Sequence, residues 1–555
     1  MPTDLEIASS IKPKPIIEIA QQLNIPSEAI IPYGKYIAKL PLSLIDAQAA
    51  EKSHLILVSG ITPTPTGEGK TTLTIGLSQA FYKLGAKAIA ALREPSLGPV
   101  FGLKGGATGG GYAQVIPMEN INLHFTGDLA AIEKAHNLLA AIIDNEFYYE
   151  NSLGIVPSSV RWKRVIDIND RALRSIITGL ESNGILRQTG FDITAASEVM
   201  AILCLSHHLQ ELKQKLGSII VGSNLKKEPI YVRQLEVAGA MAVLLKDALM
   251  PNLVQTLEAT PVLIHGGPFA NVAHGSNSII ATKMGLSLAE YVITEAGFGF
   301  DLGGEKFLNI KCRYANLKPR LVVLVATLKA LKYHGGAAKE KIQEPNLEAL
   351  QIGFENLKKH IQNVKKFGLE PFVAINHFYF DTPQELEWLV QECDKLNVVA
   401  HVCRVWERGG EGALELAKSI LEFCKQGTAG RFRYLYDCQQ SVEQKISIIA
   451  REIYGAQDVE FSAEAQKILK LIYHWQLAHL PICIAKTQYS FSDNPSLGGV
   501  CDQQFRITIQ DIEIAAGAGF IIPIAGNLLR MPGLPKKPAA KMIDIDNQGN
   551  VAGLF

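Results

Sequence analysis

A lysine and a threonine stand side by side near the end of the stretch TPTPTGEGKTT, residues 62 to 72. The pattern approaches G-x-x-x-x-G-K-[ST], in which backbone N–H groups surround phosphate oxygens, the lysine lies between phosphates and the hydroxyl binds magnesium. Thr64 replaces the first glycine, where the loop leaves an apolar run, and Pro65 stiffens the chain. The stretch predicts a nucleoside triphosphate site formed by Thr64, Pro65, Thr66, Gly67, Glu68, Gly69, Lys70 and Thr71, with Thr71 as the metal ligand.

The identity of the nucleotide follows from a missing motif. The guanine-selecting tetrapeptide N-K-x-D is absent from the sequence, which favours ATP. An apolar run ending in aspartate, the usual second magnesium anchor, is absent as well. Glu295, at the end of YVITE, is the nearest substitute; the alternative is that it simply caps a neighbouring helix.

Arg93 follows another apolar run and is expected to emerge beside the phosphate loop. A planar guanidinium can grip a carboxylate or an acyl phosphate through two hydrogen bonds. The alternative is an ordinary surface arginine. The nearby glycine run KGGATGGGY (104 to 112) favours a ligand-binding role, because bare backbone suggests a large polar ligand lying against the chain. His124 and Asp128, further along, are interpreted as structural.

These residues must be positioned by short apolar runs of the sequence. Each run is followed by a polar or glycine-rich turn and then by a helical stretch. The runs cover residues 55–58, 88–92, 261–265, 291–295, 321–327, 371–376 and 398–406. This alternation predicts an α/β fold of the P-loop NTPase type, a mostly parallel sheet with helices on both faces, accompanied by smaller α/β domains. Ligands of such sheets gather beyond the carboxyl ends of the strands. From about residue 455 the pattern gives one helix, 463–477, and then an irregular segment rich in glycine and proline.

Length and charge limit the remaining possibilities. A chain of 555 residues exceeds what one core usually serves. We divide it into a P-loop ATP-binding and catalytic domain (1–360), an α/β domain contributing aromatic residues (361–455) and a C-terminal domain (456–555). Basic and acidic residues number 54 each, which argues against nucleic acid as a partner. No apolar run approaches the ~20 residues that span a bilayer, so we expect a cytoplasmic protein without membrane association.

Several long segments resemble the formate–tetrahydrofolate ligase family, and the resemblance covers nearly the whole chain. Besides the phosphate loop and REPSLGPVFGLKGG, they are HGGPFANVAHGSNS (265 to 278), TEAGFGFDLGGEKF (294 to 307), VWERGGEGA (405 to 413), IAKTQYSFSDNP (484 to 495) and MPGLPKKPAA (531 to 540). So many ordered matches make coincidence negligible.

The resemblance implies ATP-dependent ligation of formate to tetrahydrofolate, giving 10-formyltetrahydrofolate, ADP and phosphate through formyl phosphate. It implies that Lys70 stabilises the transferring phosphoryl group and that Arg93 holds formate or formyl phosphate. Phe298, Phe378 and Trp406 match the aromatic residues that stack on ligand rings in this family, each at the end of a predicted strand. The resemblance also implies Mg²⁺, an activating monovalent cation (K⁺ or NH₄⁺), a polyglutamylated folate and a homotetramer.

The sequence departs from the family pattern at Asn120, Ser276, His377 and Asn527, of which His377 adjoins the expected folate wall. An alternative function is that of a P-loop ATPase that switches a protein partner, which would hydrolyse ATP regardless of formate. A P-loop ligase for another carboxylate would share the opening loop, but it gives no reason for the matches beyond residue 260.

Overall fold

The computed structural model describes residues 2–65, 67–102, 108–426, 432–500, 504–526 and 528–554. Thr66 of the phosphate loop, part of the glycine run and the departure at Asn527 therefore lie outside the described residues.

The molecule is built on one large sheet, accompanied by small ones. The strands that precede residue 120 are β1 (Ile31–Pro32), β2 (Ala38–Lys39), β3 (His54–Gly60), β4 (Ala88–Leu92), β5 (Gly109–Gly110) and β6 (Ala113–Ile116). Six short strands follow and pair among themselves: β7 (Arg164–Ile166), β8 (Ile176–Thr178), β9 (Arg187–Thr189), β10 (Phe191–Ile193), β11 (Ile220–Ser223) and β12 (Pro229–Tyr231). The large sheet resumes with β13 (Asn252–Thr256), β14 (Pro261–Ile264), β15 (Tyr291–Gly299), β16 (Leu321–Ala326), β17 (Glu370–Asn376) and β18 (Ala400–Cys403). The C-terminal strands are β19 (Asp458–Phe461), β20 (Arg506–Ala515), β21 (Phe520–Ala525), β22 (Asp544–Ile545) and β23 (Val551–Ala552).

The large sheet has the order β1-β2-β13-β14-β4-β15-β3-β16-β17-β18, with β6 beside β13 and β5 beside β6. Every pair from β14 to β18 is parallel, whereas the pairs at the β1 end are antiparallel. The prediction of an α/β fold around a mostly parallel sheet is therefore confirmed. The order also places the carboxyl ends of β4, β15, β3, β16 and β17 next to one another.

Helices connect these strands. Their bounds are α1 (Asp4–Ser10), α2 (Ile16–Gln22), α3 (Ala47–Lys52), α4 (Lys70–Lys83), α5 (Leu97–Phe101), α6 (Met118–Asn122), α7 (Asp128–Tyr148), α8 (Glu198–Cys204), α9 (Leu209–Gly217), α10 (Ala238–Leu245), α11 (Ile279–Leu288), α12 (Cys312–Ala315), α13 (Leu328–His334), α14 (Leu347–Lys366), α15 (Pro383–Lys395), α16 (Val405–Arg408), α17 (Leu414–Lys425), α18 (Val442–Ile449) and α19 (Ala463–His474). None of the helices in the described segments is long and apolar enough to cross a membrane.

The continuous apolar character of β3 has a direct structural cause. Successive side chains of a strand point to opposite faces of the sheet. Leu55 and Leu57 accordingly enter one buried cluster, and Ile56 and Val58 enter another. Because both faces of this strand are covered, residues 55–58 are all apolar, and the loop after the strand carries the polar side chains that could meet a ligand.

Two sequence-based predictions need correction. The run 398–406 is not one strand: β18 ends at Cys403, and α16 begins at Val405, whose side chain is buried in the second core cluster. Trp406 therefore lies on a short helix just beyond the strand. The supposedly irregular segment after α19 contains β20 and β21, which form a three-stranded sheet with β19.

The predicted division into three domains stays a prediction. The large sheet continues across the first proposed boundary, because β17 and β18 extend the row of parallel strands that contains β3 and β16.

Candidate active site

The phosphate loop leaves β3 and enters α4, whose first residue is Lys70. Gly69 precedes the helix with φ +75°, a left-handed conformation that glycine adopts without strain. A Cβ on this residue would also lie 2.4 Å from Asn376 Nδ2, so both the conformation and the space require glycine. The loop therefore leads directly into the start of α4, and a helix N-terminus is where backbone N–H groups bind an anion.

Glu68 explains the threonine that replaces the first glycine of the motif. The backbone N–H and the hydroxyl of Thr64 both donate to Glu68 Oε1 at 2.8 Å. The hydroxyl of Thr327, just beyond β16, donates to the other carboxylate oxygen, and Asn376 Nδ2 donates to the Glu68 carbonyl at 3.2 Å. Glu68 thus fixes the loop to the ends of two neighbouring strands, through its buried carboxylate at β16 and its backbone carbonyl at β17. The sequence analysis missed this role of Glu68, Thr327 and Asn376.

The side chain of Lys70 folds back over the end of β3. A Cβ added to Gly60 would lie 3.1 Å from Lys70 Cδ, 3.4 Å from Lys70 Nζ and 3.4 Å from the Phe298 carbonyl oxygen. Lys70 and Phe298 therefore approach the same point of the sheet edge. Phe298 has φ +58° and lies within β15, where the pairing with β3 is irregular between Glu295 and Gly299.

Glu295 connects the phosphate loop to Arg93. Its carboxylate Oε2 accepts a hydrogen bond of 2.7 Å from the Thr71 hydroxyl, and Oε1 lies 3.7 Å from Arg93 Nε. The Glu295 side chain is 1% exposed and that of Arg93 is 23% exposed, so the guanidinium forms the accessible end of this chain of contacts. Arg93 also donates to the Pro268 carbonyl at 3.4 Å. The three residues come from α4, β15 and the segment after β4, which meet because their strands are neighbours in the sheet.

Phe378 lies two residues beyond β17 and forms part of an aromatic corner. Its ring stacks on Phe380, with centroids 5.4 Å apart and planes 11° from parallel. Its backbone N–H donates to Asp381 Oδ2 at 2.8 Å, and burial raises the pKa of the Asp381 carboxyl to about 6. Lys329 Nζ lies 4.2 Å from the centroid of the Phe378 ring.

His377 departs from the family pattern and directly precedes Phe378. It lies between the ends of β17 and β18. Its N–H donates to the Cys403 carbonyl, and Nδ1 lies 3.6 Å from Glu407 Oε1. Burial lowers the pKa of His377, with a further contribution from Arg404.

Trp406 lies on α16 against the hairpin formed by β5 and β6. The Tyr112 N–H donates to the Trp406 carbonyl at 2.8 Å, and a Cβ on Gly111 would lie 2.0 Å from that carbonyl oxygen. Gly111 of the glycine run therefore lies directly against the Trp406 backbone. Trp406 is half-buried, and the strands that precede Phe378 and Trp406 pair at Asn376 and Cys403.

Other polar residues near the strand ends stabilise the fold. Asp128 forms a buried ion pair with Lys39 at 2.8 Å, which supports its structural interpretation. His265 uses both ring nitrogens, toward Ser278 Oγ at 2.6 Å and the Ala248 carbonyl at 2.7 Å, and burial lowers its pKa to about 4. His124 is exposed.

Cavity size and metal-ligand clustering do not locate the site. A cavity of about 630 Å³ lies elsewhere, lined by residues such as Trp162, Glu198 and Arg530, and none of the predicted site residues lines it in the described segments. Across those same segments, no group of three or more His, Cys, Asp and Glu side chains is arranged to hold a metal ion.

A glycine-containing loop joins the buried parallel strand β3 to α4, and a lysine, a threonine and an arginine lie beside it at one edge of an α/β sheet. The formate–tetrahydrofolate ligase family model matches residues 2–555. The chain therefore belongs to the formate–tetrahydrofolate ligase family, whose members are ATP-dependent ligases acting on formate and tetrahydrofolate. The family resemblance inferred from the sequence is confirmed.

Proposed function

We propose that this protein uses ATP to join formate to tetrahydrofolate, giving 10-formyltetrahydrofolate, ADP and phosphate through a formyl phosphate intermediate. The supporting observation is the line of contacts from Thr71 through Glu295 to Arg93, beside Lys70. It connects a loop suited to a triphosphate with a partly exposed guanidinium suited to a small carboxylate.

The chemistry requires activation because formate is a poor acyl donor whose leaving group would be oxide. A formate oxygen attacks the γ-phosphorus of ATP, and the bond from that phosphorus to the ADP oxygen breaks. The folate amine nitrogen then attacks the formyl carbon, phosphate leaves and the amine loses a proton. Phosphoryl transfer depends mainly on positioning and charge stabilisation. We assign Lys70 to the charge on the transferring phosphoryl group and Arg93 to formate and formyl phosphate.

The residues beside the loop fit a magnesium ion. Mg²⁺ prefers oxygen ligands, and it commonly uses one or two protein groups together with waters and substrate phosphates. The Thr71 hydroxyl and the Glu295 carboxylate would hold it, and Glu295 Oε1 is a buried oxygen without a hydrogen-bond partner in the described structure. When bound, the ion supplies neutralisation of phosphate charge.

The folate rings need flat apolar walls. Offset stacking contributes about 0.5 to 1.5 kcal/mol per aromatic pair beyond the burial of area. Phe298 lies in β15, next to β3, whereas Phe378 follows β17, two strands from β3 on the other side, and Trp406 lies beyond β18. We propose all three as ring-binding residues. A monovalent cation activator, a polyglutamylated folate and a homotetramer remain predictions from the family, and a cytoplasmic location remains a prediction from the sequence.

An omission assay tests the proposal. Purified protein is incubated with ATP, Mg²⁺, formate and tetrahydrofolate, and the product is converted by acid to its absorbing methenyl form. We expect product and stoichiometric ADP only when all components are present. ADP release that persists without formate and tetrahydrofolate, with no folate product, would instead favour an ATPase that acts on a protein partner.

A further inference from the structure

Lys329 is a buried cation at the edge of the candidate site. It is the second residue of α13, immediately after β16, and it is 8% exposed. Within the described residues its ammonium has neither a hydrogen-bond acceptor nor a carboxylate at ion-pair distance. Its contact there is the face of the Phe378 ring, 4.2 Å from the centroid.

The other buried lysines of the described structure all have polar partners. Lys39, Lys332 and Lys486 lie beside carboxylates at 2.8, 3.3 and 3.3 Å, respectively. Lys306, Lys311 and Lys445 donate to carbonyl, amide or hydroxyl oxygens. Since burying a charge is unfavourable unless it is paired, Lys329 is the exception that requires an explanation.

Two acidic residues, Glu68 and Asp381, lie in the surroundings of Lys329, but neither carboxylate is at ion-pair distance from its ammonium in the described structure. Glu68 accepts hydrogen bonds from Thr64 and Thr327, and Asp381 accepts one from the Phe378 backbone. The attraction of both carboxylates opposes the larger effect of burial, which lowers the pKa of Lys329. Among the residues that the structure describes, the ammonium therefore has no hydrogen-bond or ion-pair partner, and it lies over the ring of Phe378. A cation over a ring face is favourably placed, but the ring provides no hydrogen-bond acceptor oxygen.

We infer that Lys329 is a substrate-binding residue. Its ammonium binds an anionic oxygen of a substrate that lies between the phosphate loop and Phe378. Two substrates could supply that oxygen, ATP through a phosphate or tetrahydrofolate through a glutamate carboxylate. This assignment rests on the proposed function and adds a residue to its binding site. It also predicts that the ligand-free protein gains no stability from this charge.

The test compares Lys329→Met with Lys329→Arg in the full chain. Lys339→Met is the matched control, because Lys339 is an exposed cation shortly after the same helix. The measurements are kcat, KM for ATP, KM for tetrahydrofolate with one or three glutamates, and the unfolding midpoint without ligands. A lost hydrogen bond to a charged group corresponds to about a 10- to 100-fold effect.

We expect Lys329→Met to raise KM for one substrate by about 10- to 100-fold. The unfolding midpoint of the ligand-free protein should be unchanged or higher. Lys329→Arg should recover most of the loss, and Lys339→Met should behave as wild type. A higher KM for ATP would identify a phosphate as the group that binds the Lys329 ammonium. A higher KM for tetrahydrofolate that depends on the number of glutamates would identify a glutamate carboxylate. An active Lys329→Met enzyme with unchanged kinetics, or with a lower midpoint and normal KM values, would overturn the inference. Failure of the proposed function would instead appear as wild-type protein without formate-dependent turnover.

Discussion

Replacing Lys70 by alanine is expected to lower turnover by roughly 100- to 1000-fold, the usual effect of removing a preorganised charge contact at a transition state. Lys70 is the first residue of α4, and its side chain lies over the end of β3. Its ammonium would neutralise charge as the phosphoryl group leaves ADP, so the loss should appear mainly in kcat. Single-turnover measurement of ADP formation, with formate and tetrahydrofolate saturating, isolates this step.

Lys83→Ala is the matched control for this prediction. Lys83 is the last residue of the same helix and forms an exposed ion pair with Glu258 at 3.2 Å. This variant removes a lysine from α4 without touching the loop and should keep wild-type rates. Near-normal turnover in folded Lys70→Ala protein would contradict the assignment of Lys70.

Replacing Arg93 by alanine is expected to lower turnover by a similar factor, roughly 100- to 1000-fold. Its guanidinium is the accessible end of the contacts that begin at Thr71, and it would hold formate in line with the phosphorus. Arg93→Lys should remain impaired, because an ammonium cannot reproduce the planar fork that binds a carboxylate through two hydrogen bonds. The measurement is formate-dependent ADP formation over a range of formate concentrations.

The control for Arg93 must separate binding from folding, because the substitution leaves the buried Glu295 without its cationic neighbour. The unfolding midpoint of each variant is measured beside the kinetics. Arg451→Ala removes an exposed arginine that lies 3.6 Å from Asp458, and it should be neutral in both measurements. Normal kcat and formate KM in Arg93→Ala would show that formate binds elsewhere.

Much of the sheet could be predicted from the sequence because parallel strands buried on both faces are continuously apolar. The runs that became β3, β4, β14, β15, β16 and β17 carry that signature, and a polar or glycine residue marks where each one ends. Residues at neighbouring strand ends lie close together whatever their distance along the chain. This is why Arg93 and Glu295 could be associated with the phosphate loop before the structure was considered.

The remaining features depend on contacts that no local pattern encodes. Glu68 is bound by Thr327, 259 positions away, and a glutamate between two glycines gives no sign of such a partner. β19 pairs with β20 in parallel across a long separation, so no hairpin turn reveals β19. Lys329 is similar: a single lysine near the start of a helix normally indicates a solvated face, and only the tertiary fold buries it.

The central claim is that formate is activated by accepting the terminal phosphoryl group of ATP. Transfer of ¹⁸O from labelled formate tests this most directly, by mass analysis of the phosphate and the nucleotide formed during turnover with tetrahydrofolate. The account predicts one labelled oxygen in each phosphate and unlabelled ADP, because the formate oxygen bonded to phosphorus leaves with it. Unlabelled phosphate, or label recovered in AMP, would contradict it.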